Sequence, residues 1–344
     1  MQYTTLGKTG VIVSKICFGT MTFGGKGFWE SIGRQTQEEA NKLIAASYEE
    51  GVNFIDTANV YSEGESEKLL GKAIIELAIP RQELFIATKV RGTMGKGKNQ
   101  VGLTRLHIMD SVNDSLKRLQ LDHIDLLYTH GVDLITPFEE TMRALEDVVR
   151  AGKVRYIGCC NIPAWMVAKA NGISENMGWN KFDALQYYYT IAGRDVEREI
   201  IPLAKSEGLA LMPWSPLAGG FLTGKYTREN QKAEGDTRRN SFDFPPVDKE
   251  KAYDIIDKMA EIAKGHNATV AQIALAWLLH RKAVTSVIIG AKNNEQLKDN
   301  LKSVDIKLTE EEMTILDKVS KLPKEYPQWM VERQNSDRFD DGKR

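Results

Sequence analysis

VNFIDTANVYSEGESEKLLGKAIIELAIPRQELFIATK, residues 52–89, holds two short apolar runs with a helical pattern between them. Val52–Asp56 and Leu84–Thr88 read as mainly apolar stretches rather than alternating ones, as in parallel strands covered on both faces. Between them Leu69, Leu70, Ala73, Ile74 and Leu77 recur at the spacing of one helix face. The same unit repeats outward from this stretch. Lys15–Phe18 lies upstream; Ile124–Thr129, Val154–Gly158, Ala184–Tyr187, Leu209–Trp214 and Val284–Ile289 lie downstream, making eight strand-like runs.

Helical patterns fill the intervals. Thr36 and Glu39 fit a capping box before Leu43 and Ile44, with Gly51 as the stop. Ile108, Val112, Leu116 and Leu119 form a second face, and Met142, Leu145 and Val149 a third. Thr269 and Gln272 fit another capping box before a helix containing Trp277. Eight strand–helix units predict a closed (β/α)8 barrel. The competing open, doubly wound sheet requires G-x-G-x-x-G in its first turn, and Gly19-Thr20-Met21 does not supply it.

The chain has 344 residues. At about 150 residues per domain this suggests two domains, but the strand count points to one barrel domain over 1–344. The excess has named places. Residues 1–14 suggest a hairpin, 217–248 a long loop, 249–264 an extra helix, and 321–344 a polar C-terminal tail with Pro323 and Pro327.

Hydrophobic residues make up 42% and charged residues 27%, which excludes a mainly disordered or fibrous chain. The net charge of -1 argues against a nucleic-acid binder. Cys17, Cys159 and Cys160 form no disulfide framework or zinc pattern. The N-terminus lacks a secretory pattern, and the most apolar helical run, Val270–Leu279, is too short to span a bilayer. A cytoplasmic enzyme without membrane attachment is the expectation.

The chemistry gathers at three successive strand ends. Asp56, with Tyr61 five residues on, follows one strand; Lys89 ends the next; His130 ends the third. In a barrel these side chains converge at the C-terminal mouth, where active sites form. A tyrosine has a pKa of about 10, and a neighbouring ammonium would lower it. Asp56 would hold Lys89, and His130 would orient a carbonyl oxygen toward Tyr61. Such a set supplies a proton but no electrons, so it calls for a hydride cofactor. Singly, each residue also has a structural role open to it: a helix cap at Asp56-Thr57, a loop aromatic, a solvated lysine, a packed histidine.

The stretches FIDTANVYSEGESEKLLGKAI, LFIATKV, IDLLYTHGVD, GKVRYIGCCN, PWSPLAGGFLTGKY and VIIGAKNNEQLKDNL resemble the aldo-keto reductase superfamily, from about Tyr3 to about Ser320. The resemblance implies a (β/α)8 TIM barrel with an N-terminal hairpin and extra helices. It implies NADPH-dependent reduction of aldehydes and ketones. Tyr61 is then the general acid, tuned by Lys89 and Asp56, with His130 orienting the carbonyl.

It also implies a cofactor site, in which Asp56 is shared. Gly19, Thr20 and Met21 match the loop along the cofactor. Asn161 and Gln186 match positions that bind the nicotinamide carboxamide, and Cys160 stands where the family usually has serine. Trp214, followed by Ser215, Pro216 and Leu217, matches the aromatic position against the nicotinamide ring. Gly219 to Tyr226 is one residue short of a P-loop, since Tyr226 stands where Ser or Thr would hold magnesium. Backbone amides there, with Gly219 and Lys225, would contact a pyrophosphate. Gly290, Ala291 and Lys292 precede a helix on which Gln296 and Asn300 share a face. Lys292 would pair the 2'-phosphate that distinguishes NADP from NAD.

Phe28 and Trp29 are placed to line an apolar mouth. The stretch Arg91–Arg105 is basic and glycine-rich with no acid, suited to an acidic substrate, to the cofactor or equally to a solvated loop. The tail carries Tyr326, Trp329 and Met330, which would either close the pocket or pack outside. Two other functions are weighed. A regulatory NADP-binding subunit, like the related potassium-channel beta subunits, would ordinarily carry an N-terminal extension. A metal-dependent hydrolase would need more strand-end ligands than His130, so no metal is expected. The particular carbonyl substrate and the oligomeric state are not legible in these residues.

Overall fold

The computed structural model describes residues 1–231, 239 and 242–335. Strands β1 (Tyr3–Thr5) and β2 (Ile12–Ser14) pair antiparallel as a hairpin. Eight parallel strands follow: β3 (Ile16–Gly19), β4 (Phe54–Asp56), β5 (Phe85–Val90), β6 (Ile124–Thr129), β7 (Val154–Cys160), β8 (Ala184–Tyr188), β9 (Ala210–Trp214) and β10 (Val287–Ile289). The order is β10-β3-β4-β5-β6-β7-β8-β9. Between β9 and β10 the seam is held by Thr285 N–H donating to Leu211 O at 2.9 Å and Leu211 N–H donating to Thr285 Oγ1 at 3.2 Å. The barrel expected from the strand count is therefore present.

Each of the eight expected runs overlaps its strand, and most ends are shifted. β4 starts at Phe54 rather than Val52 because Asn53 pairs through its side chain: its Oδ1 accepts from Ser14 N–H at 2.7 Å. β10 starts late because Val284 N–H closes a turn onto Arg281 O and Thr285 serves the seam.

Helices cover the outside. They are α1 (Gln37–Glu49), α2 (Glu65–Glu76), α3 (Arg105–Leu119), α4 (Phe138–Arg150), α5 (Ala164–Met177), α6 (Ile200–Glu207), α7 (Lys249–His266), α8 (Val270–Leu279), α9 (Asn294–Leu301), α10 (Glu310–Val319) and α11 (Gln328–Asn335). Both expected capping boxes form, at Thr36/Glu39 and Thr269/Gln272, and Thr309/Glu312 adds a third. Gly71 lets α2 meet α3 closely; a Cβ there would lie 2.2 Å from Leu119 O.

Strand parity divides the core in two. Phe18, Ile55, Ile86, Leu127, Ile157, Leu185, Leu211 and Ile289 face the helices. Cys17, Phe54, Ala87, Tyr128, Cys160, Met212 and Ile288 fill the barrel. Leu6 and Val13 of the hairpin, both fully buried, join this inner cluster. Lys8 N–H donates to Gly208 O, just before β9, so the hairpin plugs the N-terminal end. Only the C-terminal mouth is left for chemistry.

Two of the expected irregular regions hold helix. The loop 217–248 opens with a 3-10 turn at Ala218–Thr223, and part of it lies outside the described residues. Buried Arg239 pins it: one guanidinium nitrogen donates to Ala218 O at 2.5 Å, another to Pro245 O at 3.0 Å. The stretch read as a polar tail contains α11, and residues 336–344 lie outside the described residues. Arg198 ties it down through Pro323 O and Glu325, and Lys251 through Lys321 O. Tyr326 and Trp329 pair edge to face with each other at 6.0 Å and stay exposed.

Candidate active site

Period-two alternation carries the inward rows to the mouth. Phe85 and Ala87 point inward, so Lys89 does too; Leu126 and Tyr128 lead likewise to His130. Asp56, Cys160, Gln186 and Trp214 end other inward rows. Tyr61 arrives differently. The chain leaves β4, and Ser62, Glu63 and Gly64 all have positive φ (49°, 57° and 89°) before α2 starts. That tight turn directs the Tyr61 ring inward, and Ser62 Oγ locks it by donating to Phe23 O at 2.8 Å.

The four catalytic candidates meet as a unit. Lys89 Nζ donates to Asp56 Oδ2 at 2.5 Å, to Thr57 O at 2.7 Å and to Tyr61 Oη at 3.2 Å. An ammonium has three hydrogens, so all are used. Gln186 Nε2 donates to the other oxygen, Asp56 Oδ1, at 2.8 Å. The Tyr61 and His130 rings stand edge to face, centroids 5.8 Å apart. Trp29 covers the other side of Tyr61 at 5.1 Å.

Electrostatics follow from burial. Burial opposes the charge on Lys89, but Asp56 and Tyr61 more than compensate and raise its pKa. Burial pushes Asp56 up, while Lys89 and Gln186 pull it back. For Tyr61 the expected lowering by Lys89 is outweighed: burial of the phenol comes first, Asp56 adds to it, and the net direction is upward. Tyr61 is therefore a phenol, not a phenolate. His130 is pulled down to about 3 by burial, then by Lys89 and Arg91. It is a neutral imidazole, and neither ring nitrogen is engaged by a described residue.

The residues assigned to a cofactor line the adjoining strand ends. Gly19 ends β3, where a Cβ would strike Ile288, and Gly290 faces open space above it. Met21 is half-buried beside them. Thr20 is spent on the fold, its hydroxyl 2.8 Å from Ser66 Oγ. Asn161, at φ 54°, accepts from Trp214 Nε1–H at 3.0 Å. Cys160 is buried and its thiol is pushed far up by that burial, so it is inert. Gln186 spends one of its two amide hydrogens on Asp56 Oδ1.

Ser215 Oγ accepts from Gly219 N–H at 3.0 Å in the turn that includes Pro216 and Leu217. Lys225 is exposed, and its amine has no acidic partner among the described residues. Asn293 caps α9. Gln296 Oε1 accepts from Lys292 N–H at 2.9 Å, and Asn300 Nδ2 reaches Gly290 O at 3.4 Å, so this pair supports the turn Gly290-Ala291-Lys292.

Two aromatics were not singled out by the sequence reading. Phe242 and Phe244 complete a chain of rings across the mouth: Tyr61, Trp29, Phe28, Phe242, Phe244 and Trp214, each 5.1–6.0 Å from the next. Phe-x-Phe before Pro245-Pro246 is the feature that marks them. Among the described residues no His, Cys, Asp and Glu cluster suits a metal, and no helix is long and apolar enough to cross a membrane.

A plugged barrel whose open mouth holds a buried Tyr–Lys–Asp set beside a neutral histidine defines a class of proton-handling barrel oxidoreductase. The chain belongs to the Aldo/keto reductase family, whose model matches residues 15–321. It is 37% identical over 338 residues to a putative aryl-alcohol dehydrogenase of Schizosaccharomyces pombe, covering 92% of this chain and 94% of that one. It is 35% identical to versiconal hemiacetal acetate reductase of Aspergillus parasiticus, covering 92% and 96%. It is 36% identical to a probable voltage-gated potassium channel subunit beta of Arabidopsis thaliana, covering 89% and 92%.

Proposed function

We propose that this protein reduces an aldehyde or ketone to an alcohol with NADP(H), Tyr61 giving the proton. One observation carries the reading. Lys89 spends its three hydrogens on Asp56, Thr57 O and Tyr61 Oη. Tyr61 therefore accepts from Lys89, and its own hydrogen is left for a substrate oxygen. The free imidazole of His130 beside it holds that oxygen in line. As Tyr61 gives up its proton, the ammonium already on its oxygen stabilises the phenolate.

The cofactor supplies the hydride when bound. The strand ends of β3 and β7–β10 suit it: Gly290 leaves room, Trp214 offers a ring face held by Asn161, and Lys225 and Lys292 bring positive charge. Lys292 beside the capped start of α9 favours the form with a 2'-phosphate. The ring chain over the mouth suits a flat, apolar carbonyl, in keeping with a relative named for aryl alcohols.

The test follows NADPH consumption against aromatic and aliphatic aldehydes and ketones. Tyr61→Phe is expected to keep cofactor binding and lose about 100-fold to 10,000-fold in turnover, the scale of one general acid. Undiminished turnover in that variant refutes the assignment. A second reading, an NADP-binding regulatory subunit, draws on the channel-subunit relative. Fast carbonyl turnover and no channel partner in a pull-down would reject it.

A further inference from the structure

Arg91 is the cation in the mouth that the proposed reduction leaves unused. It sits two residues beyond Lys89, just past the end of β5. Its φ is 147°, a region that side-chain-bearing residues rarely adopt. Such strain persists only where the surroundings impose it, and it gathers at binding sites. Here two bonds impose it. Arg91 O accepts from Gly102 N–H at 2.9 Å, and Arg91 Nε donates to Val132 O at 2.9 Å.

The second bond lays the side chain along the end of β6. A Cβ on Gly131, next to His130, would lie 3.6 Å from Arg91 Cδ. The cation is felt there, since it helps depress His130. No carboxylate neutralises it: Arg91 makes no ion pair among the described residues. Asp133 in the neighbouring loop is committed to Leu103 N–H, Ile135 N–H and Thr136. Residues 91–105 contain no acid at all. Among the described residues only Nε of the guanidinium is engaged, which leaves its two terminal nitrogens as a planar fork.

We infer that Arg91 is an anion subsite of the reduction site, and that the preferred substrates are carbonyl compounds carrying a carboxylate or phosphate. This rests on the carbonyl-reductase reading. The fork geometry matches both anions bidentately. The subsite is separate from the strand ends assigned to the cofactor, which belong to β3 and β7–β10. His130 meets the Tyr61 ring and precedes Gly131, which lies against the Arg91 side chain, so an anion on Arg91 would place a carbonyl further along the same molecule at the imidazole.

The experiment compares matched acid and neutral substrates with NADPH. 3-Carboxybenzaldehyde is set against its methyl ester, and 4-formylphenyl phosphate against 4-methoxybenzaldehyde. At least one acid is expected to exceed its neutral partner in kcat/KM by about tenfold to a hundredfold, the range of a charge-assisted hydrogen bond. Which acid does so identifies the anion. Arg91→Gln should collapse that ratio through KM rather than kcat, and Arg91→Lys should restore part of it. Added salt should raise KM for the acid and not for its neutral partner. Turnover of the neutral substrates without any acid preference, or an unchanged ratio in Arg91→Gln, overturns the inference and leaves the reductase reading standing. Absence of turnover with every carbonyl overturns both.

Discussion

Replacing Lys89 by methionine tests the electrostatic arrangement at the barrel mouth. Methionine is similar in length and apolar, so packing is largely kept. Lys89 is fully buried and Asp56 is 2% exposed. The variant leaves Asp56 with Gln186 as its remaining partner and removes the donor to Thr57 O and Tyr61 Oη. Stranding one member of a buried ion pair costs about 3–5 kcal/mol.

Asp56 has one escape, which is to take up a proton. Burial already pushes it up, and Lys89 is the main influence holding it down. In the unfolded chain an aspartate titrates near 3.9. Between that value and the raised folded value, the folded variant binds the extra proton. Its stability therefore falls as pH rises, by at most about 1.4 kcal/mol per pH unit, and levels off above the folded value. Urea midpoints at pH 5 and pH 8 read this directly. The gap between wild type and Lys89→Met should widen at pH 8, and adding Asp56→Asn should remove the widening. An equal gap at both pH values would refute the claim that Asp56 and Lys89 form a charge pair buried from water.

Three further outcomes follow from the same geometry. With its folded pKa near 3, His130 should show no imidazole protonation between pH 5 and 8 by NMR. Because the unfolded ring protonates near 6.5, its contribution to stability is lost as pH falls from there toward 3, and His130→Gln should flatten that part of the curve. Gly71→Ala drives a Cβ into Leu119 O and should destabilise by about 1–3 kcal/mol or more in a denaturant melt, since two helix backbones must separate. Thr269→Ala removes a cap whose hydroxyl accepts from Gln272 N–H at 3.2 Å and should cost about 1 kcal/mol in the same assay.

Much of this was legible beforehand because it is periodic. Each strand-like run overlaps its strand, and the inward row of β5 or β6 can be counted to Lys89 or His130 without coordinates. Side-chain substitutions for backbone pairing were not legible. Asn53 shortens β4 by bonding to Ser14, a residue 39 positions away. Trp29 against Tyr61 joins the loops after β3 and β4, and Phe28 against Phe242 the loops after β3 and β9, and local pattern carries no such information.

By itself the sequence determined on which strand ends Asp56, Lys89 and His130 stand, because period-two alternation and chain order specify it. Tertiary structure alone decided their ionisation and their partners. Lys89 is expected to lower the Tyr61 pKa. Packing instead buries the phenol, so that desolvation outweighs the ammonium, and it turns one amide hydrogen of Gln186 onto Asp56. Coulombic and desolvation effects depend on distance and on the exclusion of water, and both arise only when distant segments close around the site.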